Sequence, residues 1–475
     1  MSADRTPVSA AVLDRLRAIV GASHVVTDPT DTAPHLEERR GLYHGRTPAV
    51  VKPKTTAEVA AILRLADAEG LKIVPQGGNT GLVGGQTPSA AGDEIVLSLL
   101  RLDRIREVDP TSETMTVEAG VTLAAVQAAA AAVDRLFPLS LASEGSCTIG
   151  GNLATNAGGS AVIAHGNARD LVLGLEVVLA DGRVLDGLGK LRKDNTGYDL
   201  KHLFMGSEGT LGVITAAVLK LFPRPRAIAT AFVATPSPAA AVDLLGRART
   251  AFGGDLTAFE LMSRFGLDLV LTHLPGARDP ISGRHAWYAL IEVSSTTTRD
   301  LAERLETFLG EAMEAGEVAD GTIAESLERR AALWRLRESL SDVQRLEGGS
   351  IKHDVSVPIA AVPQVIAEGI AAAERVVPGI RPVPFGHLGD GNIHFNFSQP
   401  VGADKDAYLA RWDEVNRAVH GVVLAHGGSI SAEHGIGRLK RELLAEVEDP
   451  VALAVMRALK ATLDPKGLLN PGKVI

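Results

Sequence analysis

The chain has 475 residues, 45% of them hydrophobic, with 48 basic against 57 acidic side chains and a formal net charge of −9. That length calls for two or more domains at the usual ~100–200 residues each, and the acidic balance argues against nucleic acid or anionic membrane as primary partners. No apolar run reaches the ~18 residues of a spanning helix. The opening Met1 to Thr6 lacks a signal or transit pattern, so a cytoplasmic protein without an integral membrane segment is expected. The lone Cys147 excludes an internal disulfide and a thiolate zinc cage.

Val12 to Val20 predicts a helix, and Val50-Val51 a short strand. Thr55-x-x-Glu58 is a capping box for a helix with Val59, Ile62, Leu63 and Ala66 inward, stopped at Gly70. A strand at Lys72 to Pro75 runs into a glycine-rich segment ending at Gly85. Strands at 95–100 and 114–119, an alanine-rich helix at 122–134, glycine-dense turns at 145–159 and a strand from Gly174 to Ala180 follow. The run Gly206 to Thr215 leads into Val218 to Phe222. Pro223-Arg-Pro225 stops both helix and strand and marks a boundary. Beyond it, strands at 230–234, 286–293, 351–357 and 393–397 are interleaved with amphipathic helices at 238–251, 298–314, 324–346 and 361–375. Helices at 408–426 and 450–463 precede a turn-rich tail. The fold class expected is α+β, with domains at 1–226 (core about 45–226), 227–430 and a C-terminal segment, 431–475.

The run His387-Leu-Gly-Asp-Gly-Asn-Ile-His394 carries the strongest chemical signal. Asp-Gly between apolar residues is a hairpin signal. A two-residue turn at Asp390-Gly391 places 387 and 394 opposite one another, with Cβ atoms roughly 5 Å apart. Asn396 shares the face of His394 because strand side chains alternate. Glu433, in Ser431-Ala-Glu-His434, adds a carboxylate. Two imidazoles and a carboxylate make a three-ligand site with open positions, suited to zinc and also to manganese, cobalt or iron(II). The plain alternative is a set of ordinary polar turn residues.

Three glycine clusters, 77–85, 145–159 and 206–212, offer unobstructed backbone N–H groups to an extended anionic ligand. None is a Rossmann or Walker A loop: no G-x-G-x-x-G opens a helix, and neither Gly189-Lys190 nor Gly472-Lys473 precedes Ser or Thr.

Pro75-Gln-Gly-Gly-Asn-Thr-Gly81, Ile149-Gly-Gly-Asn-Leu-Ala-Thr-Asn-Ala-Gly-Gly159, Asp194-Asn-Thr-Gly-Tyr-Asp199 and Gly206-Ser-Glu-Gly-Thr-Leu-Gly212 resemble the flavin domain of the vanillyl-alcohol oxidase superfamily. With His387 to His394, Glu433-His434 and Asn470-Pro-Gly472 added, the chain from about residue 45 onward resembles the FAD-dependent D-2-hydroxyacid dehydrogenases. These include D-lactate dehydrogenases and glycolate oxidase flavin subunits, and Leu191 to Lys201 is most similar to the D-2-hydroxyglutarate branch. The resemblance implies a vanillyl-alcohol-oxidase-type FAD domain, an α+β substrate (cap) domain and a C-terminal segment that returns to the flavin. Gln76, Gly77, Gly78, Asn79, Thr80 and Gly81, after Pro75, would hold the pyrophosphate. Gly145, Ser146, Gly150, Asn152, Thr155 and Asn156 would line the flavin, with Glu208 also on the cofactor side. Ile214 would face the adenine end and Asn470 would return to the flavin. Asn79 stands where covalently flavinylated members often carry His, which implies non-covalent FAD.

On the substrate side, the resemblance implies that a divalent metal, zinc first, on His387, His394 and Glu433 receives the α-hydroxycarboxylate. His434 would take the hydroxyl proton. Arg337 and Lys352 match the residues of the D-2-hydroxyglutarate branch that bind a distal carboxylate, Ser341 stands where that branch can carry Thr and keeps its hydroxyl, and Asn396 is the fourth substrate residue. Trp334, Arg337 and Ser341 share a helix face beside a core stripe of Leu333, Leu336, Leu340 and Val343. The expected reaction is oxidation of a D-2-hydroxyacid, D-2-hydroxyglutarate first, with D-lactate or glycolate as alternatives. The expected acceptor is an electron-transferring flavoprotein or a quinone, and base rates favour a homodimer. A metal-dependent hydrolase built on the same three ligands, or an electron-transfer subunit of a larger complex, are the competing classes.

Overall fold

The structure is a computed structural model and describes residues 8–297 and 300–475. Met1 to Thr6 and the first two residues of the helix expected at 298–314 lie outside the described residues. The chain folds as two units: Met1–Ala157, Asn167–Pro223 and His434–Ile475 form the first, and Gly158–Gly166 with Arg224–Glu433 form the second. The expected boundaries differ in three places, the first by three residues, since the second unit resumes at Arg224 rather than 227. The stretch 158–166 belongs to the second unit, where Ile163 packs against the core and closely under Gly389. The return to the first unit falls after Glu433, because the Glu433 N–H donates to Asp354 of the second at 2.9 Å.

In the first unit, Val25–Val26, Val50–Val51, Glu94–Ser98 and Lys72–Gln76 form a four-stranded sheet in that order, the last three parallel. Helix Thr56–Glu69 supplies its core side, burying Val59, Ile62, Leu63 and Ala66. Thr55 caps it by accepting from the Glu58 N–H, and Gly70 ends it at φ 68°. Glu58 accepts from the Lys54 N–H at 2.6 Å, one residue before the position a capping box would use. A second sheet, antiparallel, runs Ile105–Asp109, Thr114–Glu118, Val213–Lys220, Val172–Val178, Val184–Gly187. Its two outer strands escaped the sequence reading because edge strands carry charges and lack clean alternation. The tail joins this unit through a parallel bridge between Leu469 and Ile73. It buries Lys473, whose Nζ lies 3.6 Å from the buried Glu94 carboxylate.

The second unit is an eight-stranded antiparallel sheet. Its order is Asp320–Ile323, Ala227–Thr235, Trp287–Ser295, Leu256–Ser263, Arg381–His387, Asn392–Ser398, Ser350–Ile351, with Asp354–Ser356 also paired to Asn392–Ser398. Helices Pro238–Phe252, Leu301–Glu314, Val362–Val376 and Trp412–Ala425 pack on one face. Helices Arg264–His273 and Leu327–Glu338 pack on the other, where the expected stripe Leu333, Leu336, Leu340 and Val343 is buried. The helix expected at 324–346 is divided into Leu327–Glu338, Leu340–Val343 and a 3-10 turn, Gln344–Glu347. The strand expected at 351–357 breaks at Lys352-His353, because the Asn396 side chain takes the His353 N–H at 3.2 Å. The helix expected at 408–426 is two, Lys405–Leu409 and Trp412–Ala425.

Candidate metal and flavin sites

The hairpin between Arg381–His387 and Asn392–Ser398 sets the first site. Its register pairs Phe385, not His387, with His394, so the expected opposition is displaced by two residues. The turn is longer than Asp-Gly alone. The Asp390 side chain accepts from the Asn392 N–H at 3.0 Å, and Gly391, at φ 84°, donates to His387 O at 3.1 Å. A slip of two preserves the face, since side chains alternate with period two. The two imidazoles therefore still lie 5.5 Å apart, centroid to centroid. Glu433 arrives from the far end of the unit, and ligand-type atoms of His387, His394 and Glu433 all fall within 4.8 Å of one another. His387 Nε2 is 3.6 Å from Glu433 Oε1.

Two further carboxylates brace this triad. Glu260, fully buried, accepts from His387 Nδ1 at 2.6 Å with one oxygen and from Arg337 Nε at 2.7 Å with the other. Burial opposes its charge, but Arg337 and His387 hold its pKa down at about 2. Burial likewise opposes a charged His387, yet the Glu260 carboxylate, helped by Glu433, lifts it to about 9. Asp354 accepts from the Glu433 N–H and from Asn392 Nδ2 at 3.0 Å, and lies 3.8 Å from His394 Nδ1. Burial, with Asp354 and Asp390 adding negative charge, pushes Glu433 above the ordinary carboxylate range. A divalent cation would relieve that crowding of charge. Two imidazoles and a carboxylate, one imidazole anchored through its other nitrogen, form a donor set that fits such an ion.

The predicted substrate residues divide. Lys352 Nζ donates to Ser341 at both its carbonyl (2.8 Å) and its hydroxyl (3.2 Å), so these two are brought together. Arg337 is buried beneath Phe385, its guanidinium 5.0 Å from the ring centre. Its Nη2 has no hydrogen-bond partner among the described residues. The side-chain oxygen of Asn396 accepts from the His353 N–H at the strand break. Trp334 donates to Glu292 at 2.7 Å. His434 is the first residue of the segment that returns to the first unit.

The first unit holds the second candidate site. Among the described residues, none of the backbone N–H groups of Gly77, Gly78, Asn79, Thr80 and Gly81 has a hydrogen-bond acceptor. Such a run of unpaired donors on half-buried backbone is what an anion-binding nest requires. A Cβ on Gly78 would stand 1.8 Å from Ser146 O, and one on Gly77 2.4 Å from Thr148 Oγ1, so glycine alone lets these loops meet. Asn470 Nδ2 bridges Gly85 O and Glu208 O at 2.9 and 2.8 Å, which brings the third cluster and the tail to the same place. Side-chain oxygens of Asn79, Thr148 and Asn470 are buried without partners among the described residues. These features fit an extended, polar, anionic cofactor. Two expected ligands also make contacts within the fold. The Gln76 amide is taken up by His35 and by the Gln86 carbonyl. The Glu208 carboxylate accepts from the Ile436 and Gly437 N–H groups at 2.7 and 2.8 Å, and burial raises its pKa to about 7. Asn152 is buried, with Nδ2 3.6 Å from Cys147 Sγ, and Ile214 sits in the core. Asn156, at φ 50°, accepts from the Arg169 N–H. Thr155 donates back to Gly151 O. Gly150 packs tightly on Ala119, whereas nothing stands near Gly145.

Glu260 and Asp354 were missed. A usable signal was the lone carboxylate within Leu256-Thr-Ala-Phe-Glu-Leu-Met-Ser263, since a charge inside an apolar run is paired if it is buried.

Comparison with known proteins shows the family and the fold. Residues 47–187 match the FAD binding domain and residues 224–474 the C-terminal domain of FAD linked oxidases. Alkyldihydroxyacetonephosphate synthase superposes with a TM-score of 0.76 at 18% identity, covering 99% of this chain and 87% of that one. p-Cresol methylhydroxylase superposes with a TM-score of 0.75 at 17% identity over 98% and 96% of the two chains. The fold is that of the vanillyl-alcohol-oxidase-type flavoproteins, and the protein is a FAD-linked oxidoreductase. The mitochondrial D-2-hydroxyglutarate dehydrogenase of Bos taurus is 40% identical over 99% of this chain and 85% of its own. That of Arabidopsis thaliana is 38% identical over 97% and 80%, and the dehydrogenase of Xanthomonas citri pv. viticola is 38% identical over 97% and 96%. The chain belongs to the family of these D-2-hydroxyglutarate dehydrogenases. No helix among the described residues is long and apolar enough to cross a membrane.

Proposed function

We propose that this protein oxidises D-2-hydroxyglutarate to 2-oxoglutarate, using non-covalent FAD and one divalent metal, zinc first. The observation that carries the reading is the buried Arg337 Nη2, without a partner among the described residues, in the same unit as the His387–His394–Glu433 triad. A dicarboxylic 2-hydroxyacid needs one anchor for its α-hydroxycarboxylate and another, cationic, for its far end. D-Lactate uses only the first.

FAD, when bound, supplies the acceptor for the hydride on C2, and a dication supplies Lewis acidity toward the 2-hydroxyl. The protein's own groups do the rest. The N–H groups of 77–81 hold pyrophosphate. His387, His394 and Glu433 orient the α-hydroxycarboxylate. Arg337, with Ser341 and Lys352, holds the distal carboxylate. His434 accepts the hydroxyl proton. A hydrolase on the same triad has no use for the unpaired N–H run, so that alternative is set aside. An electron-transferring flavoprotein or a quinone takes the electrons, in a cytoplasmic homodimer. The test is a panel of D- and L-2-hydroxyacids with an artificial dye acceptor, alongside anaerobic bleaching of the flavin by each acid. D-2-Hydroxyglutarate should give the highest kcat/KM. Preference for D-lactate or glycolate would place the chain in another branch.

A further inference from the structure

Glu260 stands apart among the acidic residues of the second unit. It lies in a central strand, between Phe259 and Leu261, which face the four-helix core. Its own side chain therefore turns to the opposite face, with Met262. Backbone register, not chance side-chain reach, brings it to His387: the two are direct cross-strand partners. One oxygen receives His387 Nδ1 and the other Arg337 Nε. With Nδ1 committed, His387 has Nε2 left, the nitrogen 3.6 Å from Glu433. With Nε committed, Arg337 keeps Nη2 without a partner among the described residues. A single buried carboxylate thus fixes the tautomer of a metal ligand and the direction of a guanidinium.

We propose that Glu260 is a positioning residue that sets both metal affinity, through His387, and preference for a second substrate carboxylate, through Arg337. This rests on the reading of His387, His394 and Glu433 as a metal site. Groups that orient a ligating histidine through its other nitrogen typically change metal affinity by 10–100-fold. A buried ion pair that served only the fold would leave that affinity alone.

The test is Glu260→Gln in the full-length, FAD-loaded protein. Glutamine keeps the shape but turns an NH2 toward one of the two donors. Zinc affinity, read by competition with a chromophoric chelator, should weaken about 10–100-fold. The ratio of kcat/KM for D-2-hydroxyglutarate over D-lactate should fall about 10-fold or more, the loss of a charged hydrogen bond. Flavin content and melting temperature report that the fold is retained. Should the single variant lose its flavin, Glu260→Gln with Arg337→Gln removes the stranded cation, and the same zinc weakening is expected. Wild-type zinc affinity in the folded single or double variant overturns the proposal. His387→Ala is measured in parallel and should abolish zinc binding while leaving FAD bound. If it binds zinc normally, the metal reading itself fails and this inference with it. If it loses zinc while Glu260→Gln does not, only the role of Glu260 fails.

Discussion

Replacing Arg337 by methionine separates substrate recognition from packing. Arg337 is 7% exposed, with its stem beneath Phe385 and its Nε on Glu260 at 2.7 Å. Methionine fills the stem volume, so the change is in charge and donors more than in cavity. Two costs follow, and they differ in kind. The first is a Glu260 carboxylate left with His387 as its remaining partner in that bridge. Breaking a buried pair costs about 3–5 kcal/mol of stability. That loss lowers the melting temperature and falls on every substrate alike. The second is the bond that, under the proposed function, Nη2 makes to the distal carboxylate, worth about 1.5–3 kcal/mol, or roughly 10–150-fold in kcat/KM. It falls on hydroxyglutarate alone. The quantity to measure is therefore the ratio of kcat/KM for D-2-hydroxyglutarate over D-lactate, taken on one preparation, in which inactive protein cancels. The ratio should fall roughly 10–150-fold. Equal losses on both acids would refute the assignment, because Arg337 would then touch the shared α-carboxylate or act through the fold.

Acid precipitation should leave the yellow colour in the supernatant, since Asn79 offers no nucleophile for a flavin link; colour retained on the pellet sinks the non-covalent claim. His434→Ala should lower kcat by roughly 10²–10⁴-fold with zinc content unchanged, and an unaltered pH–rate profile would remove it from the base role. The buried Lys473 has its pKa pushed down by burial from 10.5 to about 8. The unfolded chain keeps that proton to higher pH than the folded one, so wild-type stability should gain on Lys473→Met as pH rises from about 8 toward 10, by about 1.4 kcal/mol per unit. Denaturant melts that stay parallel across that range would show that the amine is not desolvated.

The parts of the sites readable from sequence were those that need only backbone or face. Five N–H groups from Gly77 to Gly81 have no acceptor among the described residues because the glycine-rich run leaves the strand and enters no helix. His387 and His394 share a face because a two-residue error in register does not alter it. Side-chain commitments were not readable in the same way. Gln76, Glu208 and Asn396 stand at the expected positions, but each has a backbone group nearby that takes its oxygen or amide, and that depends on distant chain. Leu256–Ser263 was missed because a strand buried on both faces shows no alternation, and Glu260 was missed with it.

The first unit is fastened by residues that follow the whole of the second unit in the chain. Glu208 waits for the N–H groups of Ile436 and Gly437, Ile73 for Asn470, and Gly85 for the Asn470 amide. The eight-stranded sheet, by contrast, is complete once Asn392–Ser398 has emerged. During synthesis the inserted unit can therefore mature while the unit that began first is still open. A chain halted before His434 carries a buried acid with no donors and a glycine cradle with no closing amide. Flavin capture then waits for the segment after Glu433, and a stop between His434 and Asn470 would cost the protein its flavin while leaving the histidine hairpin in place.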